Sequence, residues 1–142
     1  MAAKDAAGGE AAKDAAAVTH EMEIRVRYQE TDAQRRVHHA NYLTYFEMGR
    51  TEMLRARGMT YRAFEEAGLY LVVAEARCSY RAPAEYDDLL RLRTWVQKVG
   101  GASIEHGYEV IRDTTIVATG TTVVVCVDRD GRVRRLPEWM LK

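Results

Sequence analysis

Cysteine is scarce in this chain: Cys78 and Cys126 are the only two, far apart and outside any CxxC spacing. That leaves no disulfide framework and no zinc-type ligand pattern, and both read as small core hydrophobes. An excess of charge of either sign is missing as well. Lysine plus arginine and aspartate plus glutamate stand at 21 each, so no global field draws in nucleic acid or an anionic membrane surface, and an anionic ligand must be held by a local patch. Long apolar runs are absent, and the first residues have neither the apolar stretch of a secretory signal nor the Arg-rich bias of a transit peptide. The expectation is a cytoplasmic protein without membrane insertion. A chain of 142 residues suits one compact domain with a modest core.

What is present is ordered along the chain. Residues 1–17 are alanine with interspersed charges, and Ala-Ala-Lys-Asp-Ala-Ala occurs at 2–7 and again at 11–16. With no large apolar side chain this stretch cannot build a core and reads as a flexible tail, leaving residues 18–142 as the domain. Met22, Ile24, Val26 and Tyr28 alternate with charged residues, as a half-buried strand does. From Asn41 the period changes. Tyr42, Tyr45, Phe46, Gly49, Met53 and Ala56 recur at spacings of three and four, which predicts a helix of about sixteen residues with Asn41 as N-cap and Gly58 as its stop. A short helix fits Thr60 to Ala67. Leu71–Arg81, Leu89–Val99, Ser103–Arg112 and Thr115–Val127 read as strands, with Val72, Ala74, Ala76, Cys78 and Tyr80 sharing one face of the first. Those four strands suit an antiparallel meander, so the fold class is α+β. One face of the sheet is left for the helix. The other carries Trp95, Ile111, Val123 and Val125 and is expected to be partly covered by another subunit.

The segment from Tyr28 to Tyr42 carries the chemistry. A polar loop with Asp32 and the pair His38-His39 runs into the start of the longest helix, where unpaired N–H groups and the helix dipole favour developing negative charge. A thioester suits such a place, because a thiolate leaves without strong protonation. The site then needs mainly a carbonyl polariser and a carboxylate acting as nucleophile or as base for water. The plainer account of Asp32 is a turn-forming aspartate that accepts backbone bonds.

The motifs Val26-Arg27-Tyr28, Thr31-Asp32-Ala33, Val37-His38-His39-Ala40-Asn41-Tyr42-Leu43, Phe46-Glu47, Arg50-Thr51-Glu52 and Tyr80-Arg81-Ala82-Pro83-Ala84-Glu85-Tyr86-Asp87-Asp88, with Val127-Asp128-Arg129 and Leu136-Pro137, together resemble the 4-hydroxybenzoyl-CoA thioesterase-like branch of hot-dog proteins. That branch includes bacterial acyl-CoA thioesterases of the Tol-Pal-associated type. The resemblance covers nearly everything after residue 20. It implies a five-stranded antiparallel sheet wrapped around one long helix, an acyl-CoA substrate, no cofactor beyond the coenzyme A of that substrate, and a homodimer or homotetramer. It also implies catalytic roles for Asp32 as nucleophile or general base, for the backbone N–H near His39 as carbonyl polariser, for the His39 side chain in binding or proton transfer, and for Asn41 in bracing the loop. Candidate substrate contacts are Tyr42, Tyr45, Phe46, Arg35, Arg81 and Lys98. Where relatives carry glycine about three residues after the aspartate, this chain has Arg35, which opens a different loop path and a second function: a module that binds acyl-CoA or an acyl-carrier protein without turnover.

Other groups carry less. His38 and His39 are adjacent, so their side chains are expected to diverge, and no third ligand is spaced for a metal. His106 shares a strand face with Ile104, Tyr108 and Val110, which reads as a satisfied core or interface histidine. Gly101-Ala102-Ser103-Ile104-Glu105 lacks the last glycine of a nucleophile elbow.

Overall fold

The computed structural model describes residues 19–140. The expected tail and Val18 lie outside the described residues. Strand β1 covers His20–Arg25 and a 3-10 turn Tyr28–Glu30; helix α1 spans Asn41–Ala56 and helix α2 Tyr61–Glu66; strands β2 (Leu69–Tyr80), β3 (Leu89–Val99), β4 (Ser103–Arg112) and β5 (Thr115–Asp128) follow, then a 3-10 turn Glu138–Met140. The five strands form one antiparallel sheet in the order β1-β3-β4-β5-β2, packed around α1. The class is α+β, with the hot-dog arrangement.

Three expectations are corrected here. Only β3, β4 and β5 make a meander; β1 occupies the outer edge of β3, so β2 takes the open edge of β5. The first strand stops at Arg25 and does not reach Tyr28, because Val26 turns to exchange backbone bonds with Asp87 and Asp88 and Arg27 enters the 3-10 turn, leaving Tyr28 exposed. Strict alternation along β2 also fails. Leu69 and Leu71 pack on one core cluster and Cys78 on the other, an odd separation for residues on one face. A bulge between Val73 and Glu75 leaves Ala74 as the extra, unpaired residue, and Val72 and Val73 just before it are exposed.

Helix α1 buries Tyr42, Tyr45, Phe46, Gly49, Arg50, Met53 and Leu54, the stripe that the three-and-four spacing defines. Each large apolar side chain so buried contributes roughly 1.5–3 kcal/mol of transfer free energy. Phe46 lies flat on Tyr108 with ring centroids 4.3 Å apart. Gly49 permits the close approach of helix and sheet, since a Cβ there would strike Thr94 Oγ1 and come within 2.8 Å of Leu92. The helix ends at Gly58, φ +87°, where only glycine is at ease.

The outer face of the sheet is better covered than expected. Trp95 and Ile111 are buried within the single chain, because Gly107 makes room for the indole: a Cβ there would lie 2.5 Å from Trp95 Cε2. Val123 and Val125 stay half-exposed, beside a mixed trough of about 490 Å³ lined by Glu75, Arg77, Glu105 and Glu109 among others. No helix among the described residues is long and apolar enough to cross a membrane.

Candidate active site

The polar loop folds into a tight turn. Thr31 bridges Val37, the Asp32 N–H donates to the Arg36 carbonyl at 2.9 Å, and the Arg35 N–H donates to the Asp32 carbonyl at 2.9 Å. One carboxylate oxygen of Asp32, Oδ1, accepts the Gln34 N–H at 2.8 Å, the local bond that aspartate favours in turns. The turn rests on the β2–β3 connection, where the carbonyl of fully buried Ala84 accepts the Val37 N–H. Asp32 itself is half-buried.

Arg35 has φ +66°. That places its backbone in the left-handed region, where glycine is at ease and other residues are strained. A side chain in that region costs about 1 kcal/mol. Arg35→Gly is accordingly expected to raise stability by up to about 1 kcal/mol, read as a higher denaturant midpoint; a fall of that size would show that the turn does not use the left-handed conformation.

The tip of α1 differs from its expected form. Ala40, not Asn41, occupies the N-cap position and no side chain caps the helix. Asn41 is the first helical residue and its amide is turned away, Nδ2 donating to the Glu30 carbonyl at 2.8 Å, so the expected brace exists and the expected cap does not. His38 and His39 do not diverge. Their rings stack at 4.2 Å, because they sit at the turn into the helix and not on extended backbone. His38 Nδ1 accepts the Ala40 N–H at 3.1 Å, and the His38 carbonyl accepts the Asn41 N–H at 2.9 Å. Among the described residues the His39 N–H meets no protein acceptor, so a donor stands open at the positive end of a sixteen-residue helix.

Two residues that the sequence reading passed over join these pieces. Glu30 is buried; its carbonyl accepts from His38 N and Asn41 Nδ2, and its carboxylate from Tyr45. Tyr80 donates its hydroxyl to the His39 carbonyl at 2.9 Å and stands edge-on to the rings of His39 and Tyr42. The spacing of Glu30 from Arg27, a capping-box spacing, was the one sequence signal for the first; nothing local signals the second.

The other candidates are placed as follows. Tyr42, Tyr45 and Phe46 lie in the core beneath the helix, at most 3% exposed in this chain. Burial pushes the Tyr42 phenol up to about 12, and burial together with the Glu30 hydrogen bond raises Tyr45 as well, so both stay protonated. Arg81 lies at the end of β2, lining the outer trough, and Lys98 stands opposite Glu105 beside the β3–β4 turn; neither belongs to the turn or the tip. His106 is a buried core histidine as expected, but its Nδ1 is not satisfied among the described residues.

Sheet, helix, the turn that bears Asp32 and the open helix tip together define a hot-dog protein with a polar site at the start of its central helix. Residues 26–142 match the thioesterase-like superfamily. The chain belongs to that superfamily and is an enzyme of the thioester-hydrolase class. It is 41% identical over 106 residues to an acyl-CoA thioesterase of Haemophilus influenzae, covering 74% of this chain and 78% of the relative, and 34% identical over 106 residues to an acyl-CoA thioester hydrolase of Escherichia coli, covering 74% and 79%. Among solved structures it is similar to a DHNA-CoA thioesterase of Staphylococcus aureus, with TM-score 0.83 and 27% identity over 87% of each chain.

Proposed function

We propose that the chain is an acyl-CoA thioesterase of the cytoplasm, where both of its cysteines, free in the structure, suit a reducing compartment. Asp32 acts on the thioester carbonyl, either attacking it directly to form an acyl-enzyme anhydride or taking a proton from the attacking water. The His39 N–H receives the oxyanion, and coenzyme A departs as its thiolate. The observation that carries this is the His39 N–H at the tip of α1, without an acceptor among the described residues, joined through Glu30 to the turn that bears Asp32. His39 itself, exposed beside the site, assists binding or proton transfer, and Asn41 holds the tip to the loop. Tyr42, Tyr45 and Phe46 form the wall behind the site, and Arg35 is the basic group nearest Asp32 in sequence for the coenzyme A phosphates. Arg81 and Lys98 are further basic candidates for those phosphates.

A subunit boundary is part of the reading. β2 is a twelve-residue edge strand with Val72 and Val73 exposed, a surface suited to pairing with a second copy, and a homodimer or dimer of dimers is expected; a monomeric mass by sedimentation at micromolar concentration would contradict it. The alternative is a module that binds acyl-CoA or an acyl-carrier protein without turnover. The deciding experiment is release of free thiol from a panel of acyl-CoA esters differing in chain length and aromaticity. Tight binding of these esters with no thiol released over hours would overturn the enzymatic reading.

A further inference from the structure

We propose that Glu30 is a positioning residue for this site: a buried carboxylate that clasps the Asp32 turn to the tip and second turn of α1.

Glu30 accepts five hydrogen bonds. Carboxylate oxygen Oε1 accepts the Arg27 N–H at 2.8 Å and the Tyr45 hydroxyl at 2.9 Å, and Oε2 accepts Arg27 Nε–H at 3.1 Å. The main-chain carbonyl accepts the His38 N–H at 2.8 Å and Asn41 Nδ2 at 2.8 Å. The side chain thus grips the exit of β1 and the second turn of the helix, while the carbonyl grips the approach to the helix and its first residue. Asp32 lies two residues beyond Glu30 and His39 one residue beyond His38. Fixing Glu30 therefore sets the acid and the open N–H relative to each other.

A carboxylate buried to 6% exposure persists only where donors satisfy its oxygens. Three do so here. An Arg27–Glu30 pair alone would suffice to close the 3-10 turn, so the bond to Tyr45, fifteen residues away on another element, is the one that a merely local cap has no use for. Glutamine cannot replace the acid without a conflict: its amide NH₂ would face either the Arg27 guanidinium or the pair of donors at Oε1. Phenylalanine at 45 keeps the ring in the core and removes only the hydroxyl.

This role rests on the thioesterase reading, and the experiment separates the two. Wild-type thiol release tests the parent reading. Given that turnover, Glu30→Gln and Tyr45→Phe are each expected to lower kcat by about 10- to 100-fold with KM within about threefold, as a displaced but intact site behaves. The double variant is expected to fall no further than the worse single one, since both break the same clasp. Parental kcat in folded Glu30→Gln protein, with only its denaturation midpoint lowered, would reduce Glu30 to a local cap and overturn the proposal, as would losses that multiply in the double variant. Should Glu30→Gln not fold, Tyr45→Phe decides alone by the same split. Should the wild type release no thiol, amide hydrogen exchange in Tyr45→Phe decides: faster exchange confined to residues 31–39 is expected, and unchanged protection there overturns the clasp.

Discussion

Asp32→Asn is expected to lower turnover of acyl-CoA esters by about 10² or more, about 3 kcal/mol of transition-state stabilisation, while leaving the fold and its stability in place. The geometry makes this substitution sharper than most. In the proposed mechanism Asp32 does two separable things: its Oδ1 accepts the Gln34 N–H and thereby shapes the turn, and its negative charge serves the chemistry. Asparagine has an oxygen of the same size in the same place, so it retains the turn bond and loses the charge, the nucleophile and the base together.

Asp32→Ala gives the complementary measurement, because alanine surrenders the turn bond as well and is expected to lose about 1 kcal/mol of stability, in the range seen for comparable side-chain caps. If Asp32 were only the turn-forming aspartate that its motif also permits, the asparagine variant would be near parental in thiol release and only the alanine variant would suffer. Thiol-release kinetics beside a denaturant midpoint for each variant decides the matter.

Much of the architecture was readable because its punctuation is local. β3 and β4 begin and end where their sequences predict, since Gly100-Gly101 and Asp113-Thr114 are turn-forming residues and Asp113 takes φ +54°. The stripe Tyr42, Tyr45, Phe46, Gly49, Met53 specifies α1 by itself. What could not be read is non-local. The β2 bulge inserts one residue into an alternation that otherwise looks regular, and only the register against β5 exposes it. The pairing of β2 with β5 depends on β1 having taken the edge of β3. At the site, the acid, the histidines and Asn41 stand close in sequence, whereas the groups that join them do so over long separations: Tyr45 reaches Glu30 across fifteen residues and Tyr80 reaches His39 across forty-one. The stacking of the histidines was misjudged for a related reason, since it depends on backbone geometry at the turn into the helix.

His106 supplies the second large effect, in stability. It lies on β4, buried with Nδ1 unpaired among the described residues, and loss of solvent, with the Arg50 guanidinium nearby as a smaller cause, pushes its pKa down to about 3. In the unfolded chain the imidazole titrates near 6.5. Above that value it is neutral in both states and gives no pH dependence. As pH falls from about 6.5 toward 3 the unfolded chain binds a proton that the folded one refuses, so folding stability drops throughout that window. The loss from this group is expected to reach about 3 kcal/mol at pH 4.5 relative to pH 7. Carboxylates titrate over part of the same range, which is why the measurement is a difference: urea midpoints of wild type and His106→Gln across pH 7 to 4. The glutamine variant cannot titrate, so its stability should fall less steeply by that amount, and the two curves should converge or cross as the medium is acidified. Parallel curves would show that the imidazole is protonated in the folded protein, which would require an acceptor or water beside Nδ1.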